Sequence, residues 1–190
     1  MPGNELPLNV FEPRYLNMVN DALGSHRLIG MIQPKPDPAE DEELYGTGCA
    51  GRIVQFRETS DGRIEMVLDG VCRFDIVESL PTTRGYRMIV PDWTRFQSDY
   101  DNHDGELASE HDRLISAVRL YAESKGMSAD WEALDRLPTA KLINSLSMAL
   151  PFSVGDKQVL LEAVTSVDRL NAFIAMLGSA IEPSVSIVKH

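Results

Sequence analysis

Hydrophobic spacing changes period along this chain, and the changes divide it. Leu6, Leu8 and Val10 alternate with Pro7 and Asn9, the period-2 pattern of a strand with one buried face. Pro7 has no backbone donor, so this strand belongs at a sheet edge or begins there. Beyond Phe11 the period lengthens. Tyr15, Met18, Val19, Ala22 and Leu23 recur at three and four residues, one stripe of a helix. Pro13 suits its first turn and Gly24 its end.

Residues 27–33 (RLIGMIQ) form a nearly continuous apolar run, which predicts a strand buried on both faces. Residues 34–43 carry three prolines and five acids and read as a solvated loop. Residues 49–58 predict a strand, and Asp61-Gly62 a tight hairpin turn. Ile64, Met66 and Leu68 alternate with polar positions, as do Cys72, Phe74 and Ile76. The Asp69-Gly70 pair between them predicts a second turn and hence a three-stranded meander. A further strand covers residues 86–93. About six short strands and one helix in residues 1–97 predict a curled or partly closed sheet.

Strand signals stop near Gln97. Leu107, Leu114, Ile115, Val118, Tyr121 and Ala122 share one face of a long helix ending near Gly126. Ser128 is the expected cap of a short helix carrying Trp131 and Leu134, and Thr139 that of a helix burying Leu142, Ile143, Leu146 and Leu150. The pairs Ser153/Asp156 and Thr165/Asp168 resemble capping boxes ahead of two more helices, and Pro183 limits the last. The expectation is an α+β chain: a curled, pseudo-barrel, mostly antiparallel sheet with one helix in residues 1–97, then an all-helical bundle of five helices in residues 98–190. Residues 184–188 alternate weakly, as a late strand or a frayed terminus.

Composition narrows the partners. The 190 residues are 43% hydrophobic and carry a formal charge of -11, which disfavours nucleic acid and anionic membrane surfaces. The acidity is spread evenly, net -5 in residues 1–97 and -6 in residues 98–190, and reads as solubility. No apolar run approaches the ~20 residues of a membrane span. The first residues lack the basic region and apolar core of a signal peptide. Cys49 and Cys72, in apolar runs, read as reduced core thiols of a cytoplasmic protein.

Residue spacing offers little chemistry. Gly46-Thr-Gly48-Cys-Ala-Gly51 matches G-x-G-x-x-G, but an acidic loop precedes it and a strand follows, the wrong surroundings for a dinucleotide. Asp99, Asp101 and Glu110 stand at positions 1, 3 and 12 of a calcium loop, but Asp104 occupies the glycine position. His26, His103, His111 and His190 have no metal-ligand spacing, and neither G-x-S-x-G nor a Walker phosphate loop occurs. No metal or other cofactor is expected. Met18, Met31, Met66 and Met88 read as core packing rather than an adaptable binding surface.

The stretch LPL-x-VFEPRY, residues 6–15, resembles the signature of the Lon N-terminal domain, the substrate-binding region of ATP-dependent Lon proteases. Gly70-Val71-Cys72-Arg73-Phe74 is similar to the family's G-V-x-R-F strand, and residues 137–161 to its helical segment. The resemblance implies a stand-alone bacterial form without the ATPase and protease modules. Its implied role is non-enzymatic recognition of unfolded or tagged polypeptides. The alternative is an adaptor for a specific folded partner such as a protease complex, or self-association. Phe11, Glu12, Arg14, Tyr15 and Arg73 are the candidate peptide-binding residues, weighed against a structural role in pinning the turn to the sheet. Family members begin with a further hydrophobic strand ahead of LPL. Here Met1-Pro2-Gly3 stands in that place, and the sheet edge so left open is expected to be filled by another chain, as in a homo-oligomer, by the C-terminal tail, or by nothing.

Overall fold

The computed structural model describes residues 1–36, 43–100 and 104–181. Five strands form one antiparallel sheet: β1 (Glu5–Val10), β2 (Leu28–Met31), β3 (Thr47–Glu58), β4 (Ile64–Leu80) and β5 (Met88–Asp92). Their order is β1-β4-β3-β2, with β5 pairing the far half of β4. One helix, α1 (Pro13–Leu23), lies among them. Two 3₁₀ segments, Thr94–Tyr100 and Asp104–Glu110, lead into α2 (His111–Ser124), α3 (Trp131–Asp135), α4 (Thr139–Ala149), α5 (Val154–Glu162) and α6 (Ser166–Ile181). The α+β division into sheet and bundle is as expected, with five α-helices after residue 98 among the described residues.

Alternation determines the sheet's inner face. Val10, Ile53, Ile64, Met66 and Leu68 are buried against Val19 and Ala22 of α1, with Leu6, Leu8 and Tyr15 packed around them. The bundle has its own core, built on Leu114, Val118, Leu142, Leu160, Leu170 and Phe173. Leu107 is fully buried there too, but from the 3₁₀ segment rather than from α2.

Several expectations are corrected. Asp69-Gly70 is not a turn: β4 runs through it for 17 residues, so the meander has two strands and the sheet five. The register shifts between Ala50 and Gly51 on β3, a bulge that absorbs Val71. Gly70 is required there for another reason. A Cβ would lie 2.2 Å from the Met1 carbonyl oxygen, and Gly70 bonds the chain start through Gly3 N–H (2.8 Å) and the Asn4 carbonyl (3.0 Å). β2 is not buried on both faces. It is an edge strand in which only Ile29 is buried. Met31 and Met88 are exposed, whereas Met66 is core. α3 is capped by Asp130, not Ser128. Thr139 is already helical, and its hydroxyl meets His111 Nδ1 at 3.0 Å. The Ser153/Asp156 and Thr165/Asp168 caps form as expected. Residues 37–42 of the acidic loop, Asp101, His103, Pro183 and residues 184–190 lie outside the described residues.

A buried polar seam joins sheet to bundle. Arg73 projects from β4 with its side chain 2% exposed. Its Nε and Nη2 donate to both Asp99 oxygens, and its backbone N–H donates to Asp99 as well. The guanidinium also donates to the carbonyls of Leu161, Ala163 and Val164 and stacks 4.3 Å from the Phe96 ring. Arg169 donates to the Leu160 carbonyl and Asn144. Arg95 donates to the Glu162 carbonyl. Five consecutive carbonyls, residues 160–164, are thus capped by three arginines at the negative end of α5. Burial, then the like charge of Arg73, lowers the Arg169 pKa to about 10.

Two measurements check this account. Arg73→Met removes the side-chain donors to Asp99 and leaves the Leu161 and Val164 carbonyls without a partner, and should lower unfolding free energy in urea by about 3–5 kcal/mol. Combining it with Asp99→Leu should cost less than the two single changes added together, the signature of coupled groups. Gly70→Ala should cost about 1–3 kcal/mol by overpacking and accelerate amide exchange at Gly3 and Gly70.

Candidate functional site

The turn from β1 into α1 gathers four of the five candidate residues. Val10 points into the core, so the next side chain turns away, and Phe11 is 63% exposed. Glu12 takes the extended conformation that precedes a helix, and Pro13 occupies the first helical position. The Glu12 carbonyl accepts from the Tyr15 and Leu16 N–H groups. Its carboxylate does not cap the helix but accepts from Arg14 Nε at 2.9 Å. The Arg14 guanidinium lies 4.5 Å over the Tyr15 ring, and that of Arg63 lies 6.0 Å over Phe11. The result is an exposed aromatic group bordered by a carboxylate and two guanidinium groups.

The loop between β4 and β5 braces the outer face of α1. Arg84 donates to both Asp21 oxygens, at 2.8 and 3.0 Å, and Tyr86 Oη to the same carboxylate at 2.8 Å. These bonds, Tyr86 first, lower the Asp21 pKa, and Asp21 in turn raises that of Tyr86. Asn17 donates to the Arg84 carbonyl. Gly85, with φ at +82°, passes so close that a Cβ would sit 3.3 Å from Arg14 Cβ.

A shallow groove of about 570 Å³ crosses β1, β4 and β3. Register aligns Pro7, Val67 and Gln55 in one row and Asn9, Glu65 and Arg57 in the next, both facing away from the core. Arg57 pairs with Glu65 across the strands, which raises the Arg57 pKa. The groove is otherwise uncharged and offers amide, backbone and apolar contact.

Arg73 does not join this group. It lies nine residues along β4 from Ile64, the partner of Val10, roughly 30 Å away at strand rise. Its donors are all engaged within the fold, as the pinning role requires. Asp99, first position of the calcium spacing, has both oxygens committed to Arg73. Among the described residues no group of three or more His, Cys, Asp or Glu is placed to hold a metal ion. Gly48 and Gly51 of the glycine motif lie in β3, where a Cβ at Gly48 would meet Ile32, Met31 and Phe74, and one at Gly51 would meet Leu68. These glycines serve strand packing. Both cysteines are free and buried, and burial raises both pKa values. The Asp21–Arg84–Tyr86 brace was not foreseen. Its members are 63 and 65 residues apart and carry no local signal. The groove rows were legible as the polar phase of the strands, but only their pairing aligns them.

Comparison with known proteins follows the same division. A family model for the ATP-dependent protease La (LON) substrate-binding domain matches residues 1–179. Lon protease 1 of Hydrogenovibrio crunogenus is 25% identical over 189 residues, covering 95% of this chain and 22% of that protein. Lon protease 2 of Sorangium cellulosum is 29% identical over 207 residues, covering 95% and 23%. The chain therefore spans under a quarter of the length of these curated relatives. The crystal structure of a Lon N-terminal domain protein from Xanthomonas campestris superposes with a TM-score of 0.67 at 26% identity, covering 92% of this chain and 90% of that one. The N-terminal domain of the Mycobacterium avium complex Lon protease gives 0.59 at 18% identity, covering 94% and 91%, a likeness of fold alone. With sheet and bundle both inside the matched span, this chain belongs to the ATP-dependent protease La (LON) substrate-binding domain family.

Proposed function

We propose that this chain is a non-enzymatic binding module that recognises unfolded or tagged polypeptides, acting in the cytoplasm in connection with proteolysis. The observation that carries the proposal is the exposed rim of Phe11, Glu12 and Arg14, backed by the half-buried Tyr15 and set on the motif that resembles the family signature. Phe11 supplies an apolar contact, and the Glu12–Arg14 pair supplies a donor and an acceptor set by the helix start. Residues 1–97 form the binding subdomain in this reading. The helices α2 to α6 form the second, helical subdomain, which holds it in place through the Arg73 seam. Arg73 acts inside the fold and touches no ligand.

A second reading, docking to a folded partner such as a protease complex, draws on the ribbon of β4 and β5. Leu80 and Met88 are paired across it, and both are exposed, as are Val77 and Val90. Exposed apolar side chains grouped on one ribbon are a feature of interaction sites.

Lysozyme that has been reduced and carbamidomethylated stays unfolded, and native lysozyme is a folded control of nearly the same charge. In roughly 0.5 M salt, which screens the attraction between this acidic chain and a basic protein, the unfolded form should bind at least about tenfold more tightly. Equal affinity for the two forms removes the proposal. Phe11→Ala should weaken binding severalfold while changing stability by less than about 1 kcal/mol, since the ring is exposed. Unchanged binding would place recognition elsewhere on the module.

A further inference from the structure

A strand at the edge of a sheet turns the N–H and C=O of every second residue outward. Register determines which residues do so on the three strands that have a single neighbour, β1, β5 and β2. On β1, the Asn4 carbonyl accepts from Gly70 N–H, and Glu5–Val10 continue in unbroken register against β4. Leu6, Leu8 and Val10 therefore bond β4, and Glu5, Pro7 and Asn9 face out. The middle one is a proline, so this edge lacks its central donor. On β4, Ile76 N–H donates at 2.8 Å to the Gly46 carbonyl, on the β3 side. Its β5 partner is Pro91, whose nitrogen accordingly faces out. That edge lacks a donor as well.

The β2 edge has no such gap. The Arg27 carbonyl accepts from Ile53 N–H at 2.8 Å, and Leu28–Met31 pair without a shift against Arg52, Gly51, Ala50 and Cys49. Ile29 and Met31 bond β3. Leu28 and Gly30 turn N–H and C=O outward, and Ile32 follows by the same alternation. Leu28 and Gly30 are exposed, and among the described residues no group hydrogen-bonds their outward atoms. Proline at an edge is a common guard against unwanted pairing. Of the three strands with a single neighbour, β1 and β5 carry that guard and β2 does not.

We propose that the outward groups of Leu28, Gly30 and Ile32 form a strand-addition site, at which an extended segment of an unfolded polypeptide docks as a sixth strand beside β2. An extended backbone repeats its donor and acceptor every second residue, about 7 Å apart, which is the spacing of these three residues. Because the ladder is main-chain, the site accepts many sequences. Exposed Leu28 and Met31 provide apolar flanks on opposite faces of the strand. A second copy of this chain is a poorer occupant. Paired four-residue strands cover far less than the roughly 1,200 Å² of a stable interface, and chains carrying -11 each repel one another. The proposal rests on the binding function above and names its docking edge.

The test compares Gly30→Pro with Gly30→Ala. Both place a Cβ 3.0 Å from the Phe74 ring, but only proline removes the outward N–H. With reduced, carbamidomethylated lysozyme as ligand, Gly30→Pro should bind at least about fivefold more weakly than wild type, and Gly30→Ala within about twofold. Amide exchange on the wild-type complex should show new protection at Leu28 and Gly30 and none at Glu5 or Asn9. Wild-type binding with equal affinities for both variants, or with no new protection at Leu28 and Gly30, overturns the docking edge and leaves the binding function standing. A wild-type protein with no preference for unfolded lysozyme overturns the function and the edge together. Should Gly30→Pro fail to fold, the exchange measurement decides alone.

Discussion

The guanidinium of Arg73 holds the two halves of this protein in one relation. It leaves β4, reaches Asp99 through two nitrogens, and ends on carbonyls at the close of α5. A buried charge is costly unless paired and hydrogen-bonded, and here each donating nitrogen has a partner. The same carbonyls receive Arg169 and Arg95, so the negative end of α5 sits in a fixed cluster of positive charge. Arg169 extends the seam to Asn144, which donates to the Pro2 carbonyl at 3.1 Å. Sheet, bundle and chain start are therefore tied through one polar path, while the two hydrophobic cores remain separate.

This arrangement separates the two motifs that mark the family. Gly70, Arg73 and Phe74 of the G-V-x-R-F strand work inside the fold. Gly70 admits the chain start, Arg73 builds the seam, and Phe74 is buried edge-on to Trp93 at 5.5 Å. In the stretch from Leu6 to Tyr15 the work is divided. Leu6, Leu8 and Val10 serve the core, and Phe11, Glu12 and Arg14 face solvent. Of the five candidate residues, Arg73 is thus committed inside the fold, while Phe11 stands exposed at the surface. A frame already ordered beneath an exposed rim loses little of its own conformational entropy on any contact made there.

Much of the fold was legible in the sequence because local physics determines it. The period-2 phase of Leu6, Leu8 and Val10, the switch to helical spacing at Tyr15, the Ser153 and Thr165 caps and the break near Gln97 all depend on neighbours a few residues away. Pro7 told of an edge before any partner strand was known. The failures share a cause. Asp69-Gly70 has turn chemistry, but ladder pairing to β3 and the approach of Met1 held it extended, since tertiary pairing overrides local preference. The apolar run at residues 27–33 looked buried because hydrophobicity does not reveal whether a neighbouring strand exists. Only the sheet order places β2 at an edge.

The candidate site divides along the same line. The sequence by itself determined most of the strand and helix segments, the overall negative charge, and the resemblance that the two motifs carry. Tertiary structure alone decided that Arg73 lies nine residues along β4 from the partner of Val10, that Asp21 is braced by Arg84 and Tyr86, and which backbone groups of β1, β5 and β2 face outward. Those decisions depend on register and on contacts between residues more than 60 positions apart. Register is a property of a pair of strands, so one strand's sequence does not contain it.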